Sequence, residues 1–228
     1  MEPDPQNSLN LPSEKNLEIF RRDLLYWFEK NGRKFPWRKS SSKYRCIIAE
    51  ILLQRTRAET VSKFLPDFFQ QYPSWKKLSQ ATIEELQGSL KPIGLWRRRA
   101  SSMKELSLEM VRRNGRFPRL RTDIESLPGV GQYITNAVLL FCHGEPQPLL
   151  DTNMARVLER VFGPRKMADI RYDPYLQQLA LKVVDCDSPK KVNWAILDLA
   201  ALICFPKKPS CNQCPVSLAC NYYSENKN

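Results

Sequence analysis

Residues 127–133 read LPGVGQY, a short apolar turn with two glycines and a tyrosine at its exit. The stretch before it, TDIESL (122–127), and the stretch after it, QYITNAVLLFCHG (132–144), both have helical patterning. That leaves PGVG (128–131) as a very tight connector, and the segment reads as a helix-hairpin-helix. Gly129 and Gly131 let the backbone turn sharply and come close to another surface. The second helix then opens with free N–H groups and a positive dipole end, a geometry that accepts a DNA phosphate without reading sequence. An ordinary corner between two helices has the same glycine-rich turn, so the rest of the chain has to decide between them.

Charge favours DNA. The chain has 228 residues and carries 36 Lys plus Arg against 24 Asp plus Glu, a formal net charge of +12 that suits a polyanionic partner or a merely solvated basic face. With 42% hydrophobic residues it can fill a core. Its longest apolar runs, such as AVLLF (137–141) and LDLAALIC (197–204), are far too short to span a bilayer, and no membrane partner is expected. The first residues, MEPDPQNSLNLPSEK, have no basic start followed by an apolar stretch; they read as a disordered leader, and the protein as intracellular and cytoplasmic, nucleoid-associated if prokaryotic.

Helical signals recur along the chain and no convincing alternating strand is present, so the expected fold is all-α. Leu17, Phe20, Leu24 and Phe28 form one apolar stripe ended by Gly32, and Met154, Val157, Leu158 and Val161 form another, stopped by Gly163 and Pro164. TIEE (82–85) and TDIE (122–125) both read as capping boxes.

Four of the seven cysteines crowd into CFPKKPSCNQCPVSLAC: Cys204, Cys211, Cys214 and Cys220, separated by six, two and five residues. Zinc ligands usually come as two close pairs across a longer gap, and only one close pair is present, so the uneven spacing suits a cubane iron–sulfur cluster better. Disulfides are the weakest reading in an intracellular chain with an odd cysteine count. Cys46, Cys142 and Cys186 are read as core thiols.

A LPGVG hairpin followed by LLDTNMARVLERVFG (149–163) and this cysteine loop resembles the helix-hairpin-helix DNA glycosylases that carry a 4Fe-4S cluster, among them endonuclease III and the adenine DNA glycosylases. The resemblance runs from about Phe35 to Cys220. It implies two all-α domains: a six-helix module over 30–145 holding the hairpin at about 122–143, and a cluster domain made of 1–29 and 146–228, with 1–13 disordered. It implies a monomer that acts on double-stranded DNA and flips a mismatched or damaged base into the cleft between the domains.

The resemblance places Asp151 at the family's catalytic carboxylate, where it stabilises an oxocarbenium-like sugar and orients water; taken alone, Asp151 is an ordinary helix N-cap. FPWRKSSSKYRCIIAEILLQRT (35–56) resembles the early part of adenine and mismatch thymine glycosylases and puts Glu50 at their pocket glutamate. Glu50 interrupts the apolar run CIIAEILL, which predicts a partly buried carboxyl with a raised pKa, the alternative being the wet side of an amphipathic helix. Gln54 and Leu95 match the two loops that fill the hole left by a flipped base. GLWRRRA (94–100) departs from the family, which tends to small, polar or tyrosine residues after this leucine, so the wedge itself is not fixed; Arg97, Arg98 and Arg99 are expected to hold phosphates, as are Lys207 and Lys208 in the cysteine loop. His143 is expected to cap a helix end.

Tyr133 stands where bifunctional members have a lysine that attacks the sugar. A phenol cannot form a Schiff base, so simple hydrolysis to an abasic site is implied. Tyrosine at this position is what thymine glycosylases of G·T and G·U mismatches have, and they are the nearest resemblance; packing of the hairpin is the alternative role. Two rivals stay open, an adenine glycosylase and a non-catalytic iron–sulfur DNA-binding protein. Against the first stands the chain end eight residues after Cys220, where adenine glycosylases add a domain. Against the second stand Asp151 and Glu50, which a mere binder does not need.

Overall fold

The computed structural model describes residues 9–226. In chain order the helices are α1 (Glu14–Asn31), α2 (Lys43–Leu53), α3 (Ala58–Gln71), α4 (Trp75–Gln80), α5 (Ile83–Leu90), α6 (Trp96–Arg112), α7 (Arg121–Glu125), α8 (Gln132–Val138), α9 (Thr152–Phe162), α10 (Pro174–Val184), α11 (Pro189–Leu202) and α12 (Asn221–Glu225). No strand occurs among the described residues, in accord with the all-α expectation. None of their helices is long and apolar enough to cross a membrane.

The chain divides into two units, one from the described parts of Met1–Arg33 and Pro146–Asn228, the other from Lys34–Glu145. In the first, the stripe Leu17, Phe20 and Leu24 on α1 and the stripe Met154, Val157, Leu158 and Val161 on α9 both point inward, joined by apolar faces of α10 and α11. Spacings of three and four residues put each set on one helical face, which is why both were visible in the sequence. α1 stops at Gly32, where a Cβ would lie 2.6 Å from the Phe28 carbonyl oxygen. α9 stops at Gly163, whose φ of 123° suits glycine. Of the stretch 1–13 read as a disordered leader, residues 1–8 lie outside the described residues, whereas Leu9 and Leu11 are half-buried against this core.

Two buried carboxylates brace this unit. Asp198, on α11, accepts from Arg33 N at 2.7 Å and Arg33 Nε at 2.8 Å. Asp173 caps α10 by accepting from Leu176 N at 2.6 Å and also takes Lys166 N and Met167 N, each at 2.7 Å. Burial by itself would push the Asp173 carboxyl up, but these backbone N–H groups hold it below the usual carboxylate range.

In the second unit α4 and α5 pack on α6, and α2 packs on α3 and α8. Thr82 and Glu85 form the expected capping box, Thr82 N donating to Glu85 Oε2 at 2.8 Å and Glu85 N to Thr82 Oγ1 at 3.2 Å. The second box is corrected: α7 starts at Arg121 with Leu120 as an N-cap that offers no side-chain acceptor, so Thr122 lies inside the helix. Asp123 N and Ile124 N both donate to the Leu120 carbonyl at 3.1 Å, and Arg121 Nη2 ties the first turn to Asn136 Oδ1 on α8 at 2.8 Å. α8 runs on into one π-helical turn, Leu139–His143, closed by left-handed Gly144. His143 Nε2 bonds the Pro118 carbonyl at 2.8 Å, so its partner is a neighbouring loop and not its own helix end.

Candidate active site and cysteine loop

The LPGVG turn closes with Val130 N donating to Leu127 O at 3.1 Å, and Gly129 adopts a φ of 71°. A Cβ on Gly129 would lie 2.6 Å from Ser102 Cβ. The close approach anticipated for this glycine is therefore made within the protein, against α6. Gly131 is exposed, with nothing within 4 Å of the place a Cβ would take.

Two residues later, in the first turn of α8, Tyr133 is half-buried and its hydroxyl donates to Glu50 Oε2 at 2.8 Å. Glu50 is on α2 and only 3% exposed, deeper than the partial burial expected from its place in an apolar run. Packing of α2 on α8 makes the contact possible, and it binds the residue that marks the exit of the hairpin to the one charged group inside CIIAEILL. Buried carboxyls are costly without partners, so this phenol is a satisfying neighbour as well as an orienting one.

Gln54 follows α2 directly and is exposed; Leu95 precedes α6, is 51% exposed and has a φ of 51°. Arg97 and Arg98 are exposed as expected, with the Arg97 guanidinium 3.8 Å from the centre of the Trp96 ring. Arg99 is a correction. It is 6% exposed and its guanidinium is spent on backbone carbonyls inside the unit, so it presents no cation to a phosphate.

Asp151 caps α9. Its Oδ1 accepts from Asn153 N at 2.9 Å and Met154 N at 2.8 Å, and its Oδ2 accepts from Asn153 Nδ2 at 2.8 Å. The N-cap reading of the sequence is thus met in full, with the carboxylate held in one orientation at the positive end of a helix. Beyond it, Arg156 donates to Asn153 Oδ1 at 3.1 Å and to the Cys204 carbonyl at 3.0 Å. Sequence reading did not single out Asn153 or Arg156; their positions two and five residues after Asp151 on one helical turn were the available signal.

Cys204, Cys211, Cys214 and Cys220 all line one cavity, together with Val157, Arg160 and Val216. Arg160 Nη1 donates to Cys204 Sγ at 3.3 Å and to the Phe205 carbonyl at 2.7 Å. Burial pushes the Cys214 thiol up to about 12, and the neighbouring sulfurs add to that effect. Burial likewise raises Cys211 and Cys220. Four thiolates therefore need a strongly cationic guest to coexist here. Among the described residues, no three Cys, His, Asp or Glu side chains stand close enough to share a single metal ion. Lys207 and Lys208 project from the same loop and are exposed. Of the three remaining cysteines, Cys142 is buried while Cys46 and Cys186 are half-buried, Cys186 against the first unit's core.

Comparison with known proteins places this arrangement. Residues 48–185 match the model of the HhH-GPD superfamily base excision DNA repair proteins. A thymine-DNA glycosylase of Aeropyrum pernix is 37% identical over 213 residues, 91% of this chain and 96% of that protein. A thymine/uracil-DNA glycosylase of Pyrobaculum aerophilum is 38% identical over 221 residues, 94% of this chain and 96% of that one. The solved structure of a thermostable thymine-DNA glycosylase superposes with a TM-score of 0.85 at 33% identity, covering 97% of this chain and all of the other.

Proposed function

We propose that this chain, which belongs to the HhH-GPD superfamily of base excision DNA repair proteins, is a monofunctional DNA glycosylase that hydrolyses the N-glycosidic bond of thymine or uracil opposite guanine and leaves an abasic site. Relatives spanning more than nine-tenths of its length carry the names thymine- and thymine/uracil-DNA glycosylase, which supports the glycosylase activity and its pyrimidine substrate. The observation that carries the hydrolytic reading is the Tyr133 hydroxyl bonded to Glu50 at the exit of the hairpin, where an amine would be needed for attack on the sugar.

In this reaction the C1′–N1 bond breaks with its electron pair going to the pyrimidine, water oxygen bonds to C1′, and the proton released from water ends on the departing base. Asp151, fixed by three N–H donors, supplies the negative charge that stabilises the cationic sugar and the acceptor that orients the water. Glu50, held by Tyr133, faces the leaving pyrimidine as hydrogen-bonding and proton-relaying group. The hairpin backbone with Arg97, Arg98, Lys207 and Lys208 meets phosphates, while Gln54 and Leu95 enter the stack. One chain acting alone on duplex DNA suffices for each of these roles.

Cys204, Cys211, Cys214 and Cys220 line one cavity, and four thiols are a donor set that suits a 4Fe-4S cluster. Such a cluster would supply cationic charge that keeps the thiolates ionised and would fix the loop bearing Lys207 and Lys208.

The test is release of free base from a panel of duplexes holding G·T, G·U and adenine opposite 8-oxoguanine. Thymine and uracil freed from the guanine pairs, with adenine retained, is the expected result. Release of adenine without thymine or uracil would overturn the assignment.

A further inference from the structure

Arg99 takes no part in the chemistry above, yet its guanidinium makes five hydrogen bonds inside its unit. Its Nη1 donates to the carbonyls of Ile93 and Gly94, both at 2.9 Å. Its Nη2 donates to the carbonyls of Leu52 at 3.2 Å and Gln54 at 2.6 Å, and to Thr56 Oγ1 at 2.8 Å. These acceptors belong to two loops, the exit of α2 and the turn before α6, some 40 residues apart in sequence. Thr56 Oγ1 reaches the Ile93 carbonyl at 3.5 Å and so closes the same bridge.

The acceptors flank Gln54 and Leu95. In each loop one residue other than glycine is left-handed, Arg55 with a φ of 59° and Leu95 with a φ of 51°, a conformation that L-residues adopt only when their surroundings impose it. A planar guanidinium has five donors in a rigid fork and can answer several carbonyls at once; an ammonium on a flexible stem cannot hold that geometry. The carbonyls at the end of α2 also form the negative end of a helix dipole, which favours a cation there despite its burial.

We propose that Arg99 is a positioning residue that locks the loops bearing Gln54 and Leu95 into one register before DNA arrives, so that both side chains enter the duplex as a preformed wedge. This rests on the reading of Gln54 and Leu95 as the residues that fill the hole left by the flipped base. A preformed wedge speeds base flipping because its ordering cost is met in folding and not in binding.

The experiment uses the full chain with a G·T duplex carrying 2-aminopurine next to the thymine, measuring fluorescence on unstacking, single-turnover release of thymine, and the salt dependence of binding. Arg99→Lys and Thr56→Val keep the charge and the volume respectively while removing part of the bridge. Both should reduce unstacking and release, Arg99→Lys by on the order of ten- to a hundredfold. Their log–log salt slopes should match wild type, whereas Arg97→Ala should flatten the slope by about one unit if it meets a phosphate. When the thymine is flanked by unpaired nucleotides that need no wedge, the ratio of variant to wild-type release should return toward one.

Wild-type unstacking in both variants would overturn the proposal, as would an equal loss of release on duplex and pre-opened substrates, which marks general damage. Leu95→Ala serves as control: if it unstacks the duplex as wild type does, the wedge assignment itself is wrong and the role of Arg99 falls with it. Loss of thymine release by wild type on every substrate would instead refute the glycosylase reading.

Discussion

Tyr133 and Glu50 are 83 residues apart in the chain and 2.8 Å apart in space, the phenol donating to the carboxyl at the exit of the hairpin. In the proposed mechanism the pair joins the tyrosine that stands in place of an attacking amine to the carboxyl assigned to the base. The two residues should therefore behave as one unit. Glu50→Gln is expected to slow single-turnover base release by on the order of a hundredfold, and Tyr133→Phe by less. The double variant should be no slower than Glu50→Gln alone, because the phenol acts through the carboxyl. Rates that multiply would show the two side chains acting independently.

Asp151 caps α9 and, in the proposed reaction, also bears the charge that steadies the sugar; substitutions can separate the two. Asparagine can still cap α9, so Asp151→Asn should melt near wild type and bind duplex DNA, yet lose base release by on the order of a hundredfold or more. Asp151→Ala gives up the cap as well and should lose about 1 kcal/mol of stability in addition. Equal release rates in wild type and Asp151→Asn, measured in single turnover, would remove Asp151 from the chemistry.

The cysteine loop should hold iron and sulfide, giving the purified protein a yellow-brown colour. Cys214→Ser, which replaces a thiol lining the cavity, should abolish the colour and lower the melting temperature, since binding of the guest is coupled to folding of the loop. Metal analysis after anaerobic purification checks this; stoichiometric zinc without sulfide would contradict it.

Asp173 provides a pH signature. Its carboxyl is held below the ordinary range in the folded protein, so its contribution is present above the unfolded value of about 3.9 and is lost as pH falls through the lower folded value. Wild type should exceed Asp173→Asn in melting temperature at neutral pH, with the gap narrowing only in acid below the usual aspartate range. A gap independent of pH would mean that the charge on Asp173 is not what holds the Lys166 and Met167 amides.

The parts of this molecule that were legible beforehand are local in sequence. Leu17, Phe20 and Leu24, or Met154, Val157, Leu158 and Val161, announce a buried helical face by spacing alone, and the glycines of LPGVG announce a turn. The four cysteines announce a shared guest by their crowding, and they do line one cavity. What stayed hidden depends on contacts between distant segments. Three adjacent arginines look alike in a sequence, so Arg99 reads with Arg97 and Arg98 as a phosphate contact, and only the carbonyls of Leu52 and Gln54 at the end of α2 set it apart. TDIE has the residues of a capping box, yet α7 begins one residue earlier, with Leu120 as its N-cap and Arg121 tied to Asn136 on α8. Asp151 shows a third situation, in which the helix cap and the proposed catalytic role share a single geometry.

Hydrolysis is tested most sharply by following both products on one G·T duplex, labelled in thymine and at the 5′ end of the thymine strand, with borohydride present in a parallel reaction. Thymine should be freed in step with alkali-labile abasic sites, the strand should stay whole without alkali, and borohydride should trap no protein–DNA adduct. Strand scission in step with thymine release, together with an efficiently trapped adduct, would contradict hydrolysis at a site marked by Tyr133.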